Sequence, residues 1–174
     1  LQYAQAKIVL AKTGCANIKT VMIEQGALLG GELSGHFFFK DRHLGYDDGI
    51  YGMLRFFEIL MIKKISCDEF VSILPQSFAT NDIRIPCSDQ LKFDVVSNVK
   101  VKILQDNQFK VSMIDGVRFE TSDGWGLIRP SNTQPVLSVC CEASSSEKLK
   151  NMKQLLISLL QPYIDLQILE RYIL

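Results

Sequence analysis

The chain has 174 residues, of which 47% are hydrophobic and 22% charged, and its 19 basic and 19 acidic side chains give a formal net charge of zero. This composition is typical of globular proteins and is sufficient for one ordinary domain or two small ones. A net charge of zero argues against a dedicated nucleic-acid binder, whose affinity comes from neutralising phosphates. No uncharged run reaches the ~18 residues of a membrane span, so we expect neither nucleic acid nor a membrane as partner.

The beginning of the chain and its cysteines indicate the cellular setting. The first residue is not Met, and "LQYAQAKIVLAKTG" lacks the basic and apolar regions of a signal peptide. We interpret it as a strand entered midway, in a piece of a longer protein. The number of cysteines is odd and no CxxC spacing occurs, which favours reduced thiols and a cytoplasmic location. These cysteines are Cys15, Cys67, Cys87, Cys140 and Cys141.

In the first half of the chain, strand and helix signals alternate. The apolar run 6–13 predicts a buried strand, residues 17–25 predict a helix that stops at Gly26, and 37–39 predict an aromatic strand. Residues 46–64 give the clearest helix pattern. The apolar side chains expected on its core face are Ile50, Met53, Leu54, Phe57, Leu60 and Met61.

Capping residues define where two helices of this half begin. Asp47 or Asp48 is suited to cap the helix at 46–64. Ser66 lies three residues before Glu69, the spacing of a capping box that opens a further short helix. The first half therefore predicts an α/β domain.

Pro75 ends this pattern, and the polar stretch 76–89 is interpreted as a linker or domain boundary. Beyond it, 90–105 predicts a helix with Leu91, Val95 and Val99 on one side. The segments 116–121 and 125–129 flank "SDG" as a β-hairpin, and 135–143 predicts a strand with Cys140 and Cys141 on opposite faces. A capped helix with Leu149, Met152, Leu155, Leu156 and Leu159 on one face follows at 144–163.

We therefore expect two domains. Residues 1–77 form an α/β domain with a mixed sheet and helices. Residues 78–174 form an α+β domain with an antiparallel sheet and helices on one face.

The loop "GGELSGH" (30–36) carries a first set of recognition groups. Glu32, Ser34 and His36 alternate, so in an extended segment all three side chains project from one side. A carboxylate, a hydroxyl and an imidazole suit the vicinal hydroxyls of a sugar, and the glycines, Gly35 included, permit a close approach of the backbone. A tight connection whose polar residues merely face water is an equally open interpretation.

The loop "RPSNT" (129–133) carries a second set. Arg129 can donate two parallel hydrogen bonds to a phosphate, while Ser131 and Thr133 can donate hydroxyls. Asn132 can donate its amide or adopt a positive φ, and successive N–H groups of such a curl can form an anion nest. A turn between strands needs Pro, Ser and Asn but not the arginine, so this loop favours anion binding over a plain turn.

Together these motifs resemble those of the α-D-phosphohexomutases. "ALLGGELSGHFFFKDRHLGYDDGIYGMLRFFEIL" (27–60) is similar to the sugar-binding segment of their third domain, and the resemblance implies that residues 1–77 are an incomplete third domain. "DGVRFETSDGWGLIRPSNTQPVLSVCCEA" (115–143) is similar to the phosphate-binding loop and sheet of their fourth domain. Leu33 and Asn132 indicate the phosphomannomutase/phosphoglucomutase branch rather than the phosphoglucosamine mutases.

The resemblance implies an isomerase of carbohydrate metabolism that interconverts hexose 1-phosphate and hexose 6-phosphate through a hexose 1,6-bisphosphate, with Mg²⁺ as cofactor. It implies that Glu32, Ser34, Gly35 and His36 hold the sugar. It further implies that Arg129, Ser131, Asn132 and Thr133 hold the phosphate that does not react.

The sequence also departs from the family pattern. The 174 residues contain neither a phosphoserine loop of the T-A-S-H-N type nor a D-G-D-x-D metal loop, and Cys15 stands where the family usually has a histidine. We therefore expect no catalytic residues and no metal ligands in this chain, and no turnover by the chain alone. The alternatives are a phosphosugar-binding module without catalysis, and a remnant that needs the N-terminal domains as a separate chain.

Overall fold

A computed structural model describes residues 6–174 of the chain, so the part of the predictions that concerns residues 1–5 lies outside it. The chain divides into two compact units, Leu1–Pro75 and Gln76–Leu174. The first is α/β and the second α+β, in agreement with the fold class predicted from the sequence. The boundary predicted from the sequence lies two residues further along. Within the described residues, no helix has the length and hydrophobicity that a membrane span requires.

The described residues of the first unit form three helices and a β-hairpin. Its elements are α1 (Cys15–Gln25), β1 (Leu29–Gly31), β2 (Phe37–Phe39), α2 (Gly49–Lys63) and α3 (Cys67–Ser72). The two strands are antiparallel, with Gly30 opposite Phe38. Phe38, Ile18 and Met22 form a small buried core.

Close packing of α1 on the hairpin requires a glycine at position 30. A Cβ there would lie 2.7 Å from the Met22 sulfur and 2.8 Å from the Ile18 Cγ2 atom. These distances are shorter than van der Waals contact, so any larger residue would push α1 away from β1. Gly30, one of the loop glycines expected to permit a close approach of a ligand, therefore also has a packing role.

The predicted caps are present in the structure. The Asp48 side chain accepts a hydrogen bond of 2.8 Å from the Tyr51 N–H at the start of α2. Ser66 and Glu69 form the reciprocal capping box at the start of α3. Gly26 ends α1 in the left-handed conformation with a φ of 63°. These ends are determined locally, since each depends on residues within one turn of the chain.

Two expectations for this unit are wrong. Residues 6–13 form no strand, and Ile8 and Leu10 are exposed. A strand requires a neighbouring strand with which to exchange backbone hydrogen bonds, and the described sheet of this unit consists of β1 and β2 alone. Of the six apolar residues expected to form a buried face of α2, Leu60 is buried and the other five are exposed.

The second unit is a six-stranded antiparallel sheet with three helices. Its elements are β3 (Phe78–Ala79), β4 (Ile83–Pro86), α4 (Lys92–Leu104), β5 (Lys110–Ser112), β6 (Val117–Glu120), β7 (Gly124–Pro130), β8 (Val136–Ala143), α5 (Ser146–Leu160) and α6 (Leu166–Ile173). The strand order is β3–β8–β7–β6–β5, and β4 also pairs with β8. Side chains alternate along the strands, so the buried set lies on the face that α4 and α5 cover.

The predicted hairpin is confirmed: β6 and β7 are joined through Thr121, whose N–H donates to the Gly124 carbonyl over 2.8 Å. Cys140 and Cys141 lie on opposite faces of β8, with Cys141 buried. Burial, reinforced by the Asp82 carboxylate, raises the pKa of the Cys140 thiol to about 11. All five cysteines are free.

The stretch 76–89 is not a linker. It contributes β3 and β4, which pair with opposite ends of β8. Its polar character and Pro86 are those of strands at a sheet edge, where one row of backbone groups needs no strand partner. Sequence analysis did not predict β5 or α6.

Candidate functional site

The loop between β1 and β2 holds the first group of candidate residues. The loop is a tight turn and not an extended segment: the Gly35 N–H donates to the Glu32 carbonyl, and the Glu32 N–H donates to the His36 carbonyl, each over 3.0 Å. Gly35 makes this possible with a φ of 86°. The predicted alternation of Glu32, Ser34 and His36 along one edge is therefore wrong, and the turn instead brings the Ser34 hydroxyl to the Glu32 carboxylate.

The Glu32 carboxylate connects this turn with the start of α1. One oxygen accepts a hydrogen bond of 3.1 Å from the Gly14 N–H, and the other accepts one of 3.3 Å from the Ser34 hydroxyl. Each oxygen keeps a further lone pair, since an ionised carboxylate offers about four acceptor sites. The carboxylate is thus held in place and is still able to accept bonds from a ligand.

His36 is oriented by Asp47, which lies just before α2. The His36 Nδ1 atom is 2.6 Å from an Asp47 carboxylate oxygen, and the Cys15 sulfur lies 3.8 Å from the same oxygen. The Asp47 backbone is fixed by a β-bridge to Phe38. Because Asp47 engages Nδ1, the other ring nitrogen of His36 is left for a ligand. Sequence analysis considered Asp47 only as a helix cap and missed this role.

The second group of candidate residues lies where β7 gives way to β8. Arg129 is the penultimate residue of β7, opposite Ser138 of β8, and Ser131, Asn132 and Thr133 follow in the connection. Asn132 and Thr133 are exposed, and Arg129 and Ser131 are partly buried. The four residues selected from the sequence thus lie at the end of β7 and in the short connection to β8.

Internal hydrogen bonds give this turn its shape. The Ser131 hydroxyl oxygen accepts bonds from the N–H groups of Thr133 and Gln134, over 3.3 and 3.2 Å, and the Ser131 N–H donates to the Val136 carbonyl. These three N–H groups are therefore occupied and do not contribute to the predicted backbone nest for an anion. The hydroxyl hydrogen of Ser131 is still able to donate, because its oxygen acts as the acceptor in these bonds. An anion at this turn would be met mainly by side chains.

Asn132 does not have the positive φ that the sequence suggested. Among the described residues other than glycine, Lys64 alone has one. Asn132 thus keeps an ordinary backbone conformation, and its contribution to a ligand is its side-chain amide.

Lys92, in the first turn of α4, stabilises the turn at 131–134. Its side chain is buried in α4, and its ammonium donates to the carbonyls of Ser131 and Gln134 over 2.6 and 3.0 Å. Its charge is balanced by Asp89, 2.6 Å away. Buried lysines are rare unless they are paired, so this one is a specific feature of the site. Sequence analysis missed it because a lysine among the valines of a helix usually faces solvent.

The buried face of the helix predicted at 90–105 therefore differs from the expected one. Leu91, expected in the core, is exposed, while Lys92, Val96 and Ile103 join Val95 and Val99 on the buried side of α4. The buried position in the first turn of α4 is therefore occupied by Lys92, which supports the turn at 131–134.

The described residues do not fit a Mg²⁺ ion. In residues 6–174, the group of cysteine, histidine and acidic side chains close enough to share a metal is Cys15, His36 and Asp47. Mg²⁺ takes oxygen ligands in octahedral geometry, and this group offers one sulfur, one nitrogen and one carboxylate.

Comparison with known proteins identifies the family. Residues 1–78 match the model of the phosphoglucomutase/phosphomannomutase alpha/beta/alpha domain III, and residues 83–158 match that of the phosphoglucomutase/phosphomannomutase C-terminal domain. The chain belongs to the phosphoglucomutase/phosphomannomutase family. The resemblance drawn from the two loop motifs is thereby confirmed.

Individual relatives agree with this assignment. The chain is 41% identical over 145 residues to a phosphomannomutase/phosphoglucomutase of Pseudomonas syringae, which covers 83% of this chain and 31% of the relative. It is 37% identical over 146 residues to a phosphoglucomutase of Neisseria meningitidis, covering 83% and 32%. A crystal structure of a phosphoglucomutase/phosphomannomutase family protein from Burkholderia thailandensis superposes with a TM-score of 0.74 at 34% identity, covering 87% of this chain and 31% of that one. The chain thus spans about a third of the length of these relatives.

Proposed function

We propose that this chain supplies the sugar and phosphate recognition of a phosphomannomutase/phosphoglucomutase, an enzyme that interconverts hexose 1-phosphate and hexose 6-phosphate. The observation that carries this proposal is the presence, in a chain of this family, of two structured loops with complementary chemistry. One presents a fixed carboxylate, a hydroxyl and an imidazole, and the other presents a guanidinium, two hydroxyls and an amide.

In the first unit, Glu32 accepts hydrogen bonds from sugar hydroxyls, while Ser34 and His36 complete the same turn. The Gly14 N–H and the Ser34 hydroxyl already restrain the carboxylate. A ligand therefore has less side-chain entropy to remove from Glu32 than from a free surface glutamate. Gly35 has the role of allowing the turn that brings these groups together.

In the second unit, Arg129 pairs with the phosphate, and Ser131, Asn132 and Thr133 donate to its remaining oxygens. A guanidinium binds a phosphate through two parallel hydrogen bonds, which fixes orientation as well as charge. Lys92 acts here as a positioning residue, because it bonds to the backbone of the turn and not to the anion.

Phosphoryl transfer in the complete enzyme passes through a hexose 1,6-bisphosphate and uses Mg²⁺, which neutralises charge on the transferred group. The residues of this chain bind and orient the substrate and include neither the nucleophile nor the ligands of that Mg²⁺. Binding without a nucleophile does not break the phosphate ester bond. We therefore expect no mutase turnover from the chain alone, and a partner chain with the N-terminal domains would be needed for activity. Five free cysteines support a cytoplasmic location.

An NMR titration tests the recognition loops directly. The ¹⁵N-labelled chain is titrated with mannose 6-phosphate and glucose 1-phosphate, with free sugar and inorganic phosphate as controls. We expect shifts at the amides of 129–133 with every phosphate, and additional shifts at 31–36 only with the phosphosugars. Shifts at neither loop would contradict the proposal. Shifts at 129–133 alone would indicate a phosphate site without sugar recognition.

An arginine variant with a matched control sharpens the test. Arg129→Gln removes the phosphate pair, and Arg171→Gln removes an exposed arginine of α6 in the same unit. A hydrogen bond to a charged group contributes about 1.5–3 kcal/mol, so we expect Arg129→Gln to bind phosphosugar about tenfold or more weakly and Arg171→Gln to bind normally. Equal affinity of the two variants would exclude Arg129 from the site. A coupled assay on the unmodified chain tests turnover, and robust conversion of glucose 1-phosphate would contradict the expected inactivity.

A further inference from the structure

Three side chains of different chemistry meet at one place on the first unit. Cys15 is the first residue of α1, His36 ends the turn before β2, and Asp47 precedes α2. One ligand atom from each lies within 4.8 Å of the other two. Residues far apart in the sequence are thus brought to one point by three separate segments.

The donor set selects the kind of metal ion that would suit it. A thiolate, an imidazole nitrogen and a carboxylate oxygen are all accepted by Zn²⁺, which binds mixed sulfur, nitrogen and oxygen ligands in tetrahedral geometry. Mg²⁺ and Ca²⁺ prefer oxygen ligands throughout. Zinc sites with three protein ligands leave the fourth position to water or another small ligand. His36 and Asp47 have side-chain exposures of 48% and 31%, so water has access to that position.

The distances require only a small adjustment. With zinc bond lengths of about 2.0–2.3 Å, tetrahedral ligand atoms lie roughly 3.3–3.6 Å apart. The Cys15 sulfur lies 3.8 Å from the Asp47 oxygen, close to this range. The His36 nitrogen lies 2.6 Å from the same oxygen, the length of a hydrogen bond. A metal ion that replaced the shared proton would separate these two atoms by less than about 1 Å, a movement within reach of side-chain rotation at an exposed site.

The backbone contacts that position the three ligands do not depend on a metal. Asp47 forms a β-bridge with Phe38, and the neighbouring Asp48 N–H donates to the Phe37 carbonyl over 2.9 Å. The start of α1 is connected to the turn of His36 through the bond between the Gly14 N–H and the Glu32 carboxylate. A site assembled in this way loses little entropy when the ion binds.

We propose that Cys15, His36 and Asp47 form a zinc-binding site with one position open to water. When the neutral imidazole of His36 binds zinc through Nδ1, the proton that it shares with Asp47 moves to the other ring nitrogen, whereas the proton of the Cys15 thiol is displaced and passes to the buffer. The site stands on the described geometry alone and does not depend on the function proposed for the two loops.

Metal titration of the full, metal-free chain tests this site. Zn²⁺ affinity is measured by competition with a chromogenic chelator, and Co²⁺ is added separately as a spectroscopic probe. We expect one equivalent of metal to bind, and the Co²⁺ form to show a thiolate-to-cobalt charge-transfer band in the near ultraviolet. Cys67→Ser is the matched control, because Cys67 is also exposed and lies outside the group.

Variants assign the ligands. Cys15→Ser, His36→Gln and Asp47→Asn should each weaken Zn²⁺ binding at least about tenfold, the lower limit of the effect of losing even a supporting partner of a ligand. Cys15→Ser should also abolish the cobalt band, whereas Cys15→His should keep zinc binding and lose the band. Unfolding curves that match the unmodified chain establish that the variants are folded. The proposal is overturned if no saturable binding occurs, if Cys15→Ser binds Zn²⁺ as the unmodified chain does, or if Cys67→Ser removes the band.

Discussion

Replacement of Lys92 by Met tests how the turn at 131–134 is supported. The residue is 4% exposed, and its ammonium donates to the carbonyls of Ser131 and Gln134. Met preserves most of the aliphatic stem, so the substitution removes the charge and the hydrogen bonds with little change in packing.

The size of the effect follows from these contacts. A hydrogen bond from a charged donor contributes about 1.5–3 kcal/mol, but water reaches this turn and replaces part of both bonds. The pair with Asp89 adds less than about 1 kcal/mol, because the Asp89 side chain is 72% exposed and its charge is solvated. We expect Lys92→Met to lower the free energy of unfolding of the second unit by about 2–3 kcal/mol. The corresponding fall in Tm is on the order of 10 °C for a unit of this size.

Urea unfolding followed by circular dichroism measures the loss, and Lys100→Met provides the control. Lys100 lies on the exposed side of the same helix, so the same substitution there tests helix propensity without the turn. In NMR spectra, Lys92→Met should also shift the amides of 131–134 and weaken their response to phosphate. If Lys92→Met and Lys100→Met unfold within about 0.5 kcal/mol of one another, the reasoning about Lys92 is refuted.

Three further predictions concern local features. In Gly124→Ala, the new Cβ would lie 2.0 Å from the Glu142 carbonyl oxygen, so β7 and β8 must separate there. We expect the free energy of unfolding, measured in urea, to fall by roughly 3 kcal/mol or more. A fall below about 1 kcal/mol would be inconsistent with this geometry. Asp48→Ala removes the cap of α2 and should lower the free energy of unfolding by about 1 kcal/mol. Hydrogen exchange should become faster in the first turn of α2 only, and unchanged exchange there would exclude the capping role. The pKa of the Cys140 thiol is raised to about 11 in the folded protein, so the folded protein keeps this proton to a higher pH than the unfolded protein does. The free energy of unfolding should therefore fall as pH rises toward 11. Cys140→Ala should make the free energy of unfolding less dependent on pH in this range, and an unchanged pH dependence would contradict its assignment to Cys140.

Much of the local structure follows from the sequence because it depends on near neighbours. The caps at Asp48 and Ser66, the stop at Gly26 and the hairpin around 122–124 each involve residues only a few positions apart. The two loop motifs were recognisable for the same reason, since each keeps its residue types within a short stretch. Sequence reasoning therefore identified both candidate loops and the family.

Other features depend on contacts between distant residues, and the sequence alone did not reveal them. The stretch 76–89 becomes two strands because β8, 50 or more residues away, offers backbone partners on its edge. Residues 6–13 have the composition of a strand but pair with no strand in the described part of their unit. Strand propensity expresses a fit to a sheet, so the presence of a partner decides the outcome.

Local sequence patterns were sufficient to propose residues for sugar and phosphate recognition and to predict where most helices and strands lie. Which side chains pack against these residues depends on the tertiary structure. Lys92 is buried because the turn at 131–134 lies above the first turn of α4 and offers it two carbonyls. Cys15 lies beside His36 and Asp47 because α1, the β-hairpin and the start of α2 converge. Such placements result from packing between segments remote in sequence, and no local pattern of residues encodes them.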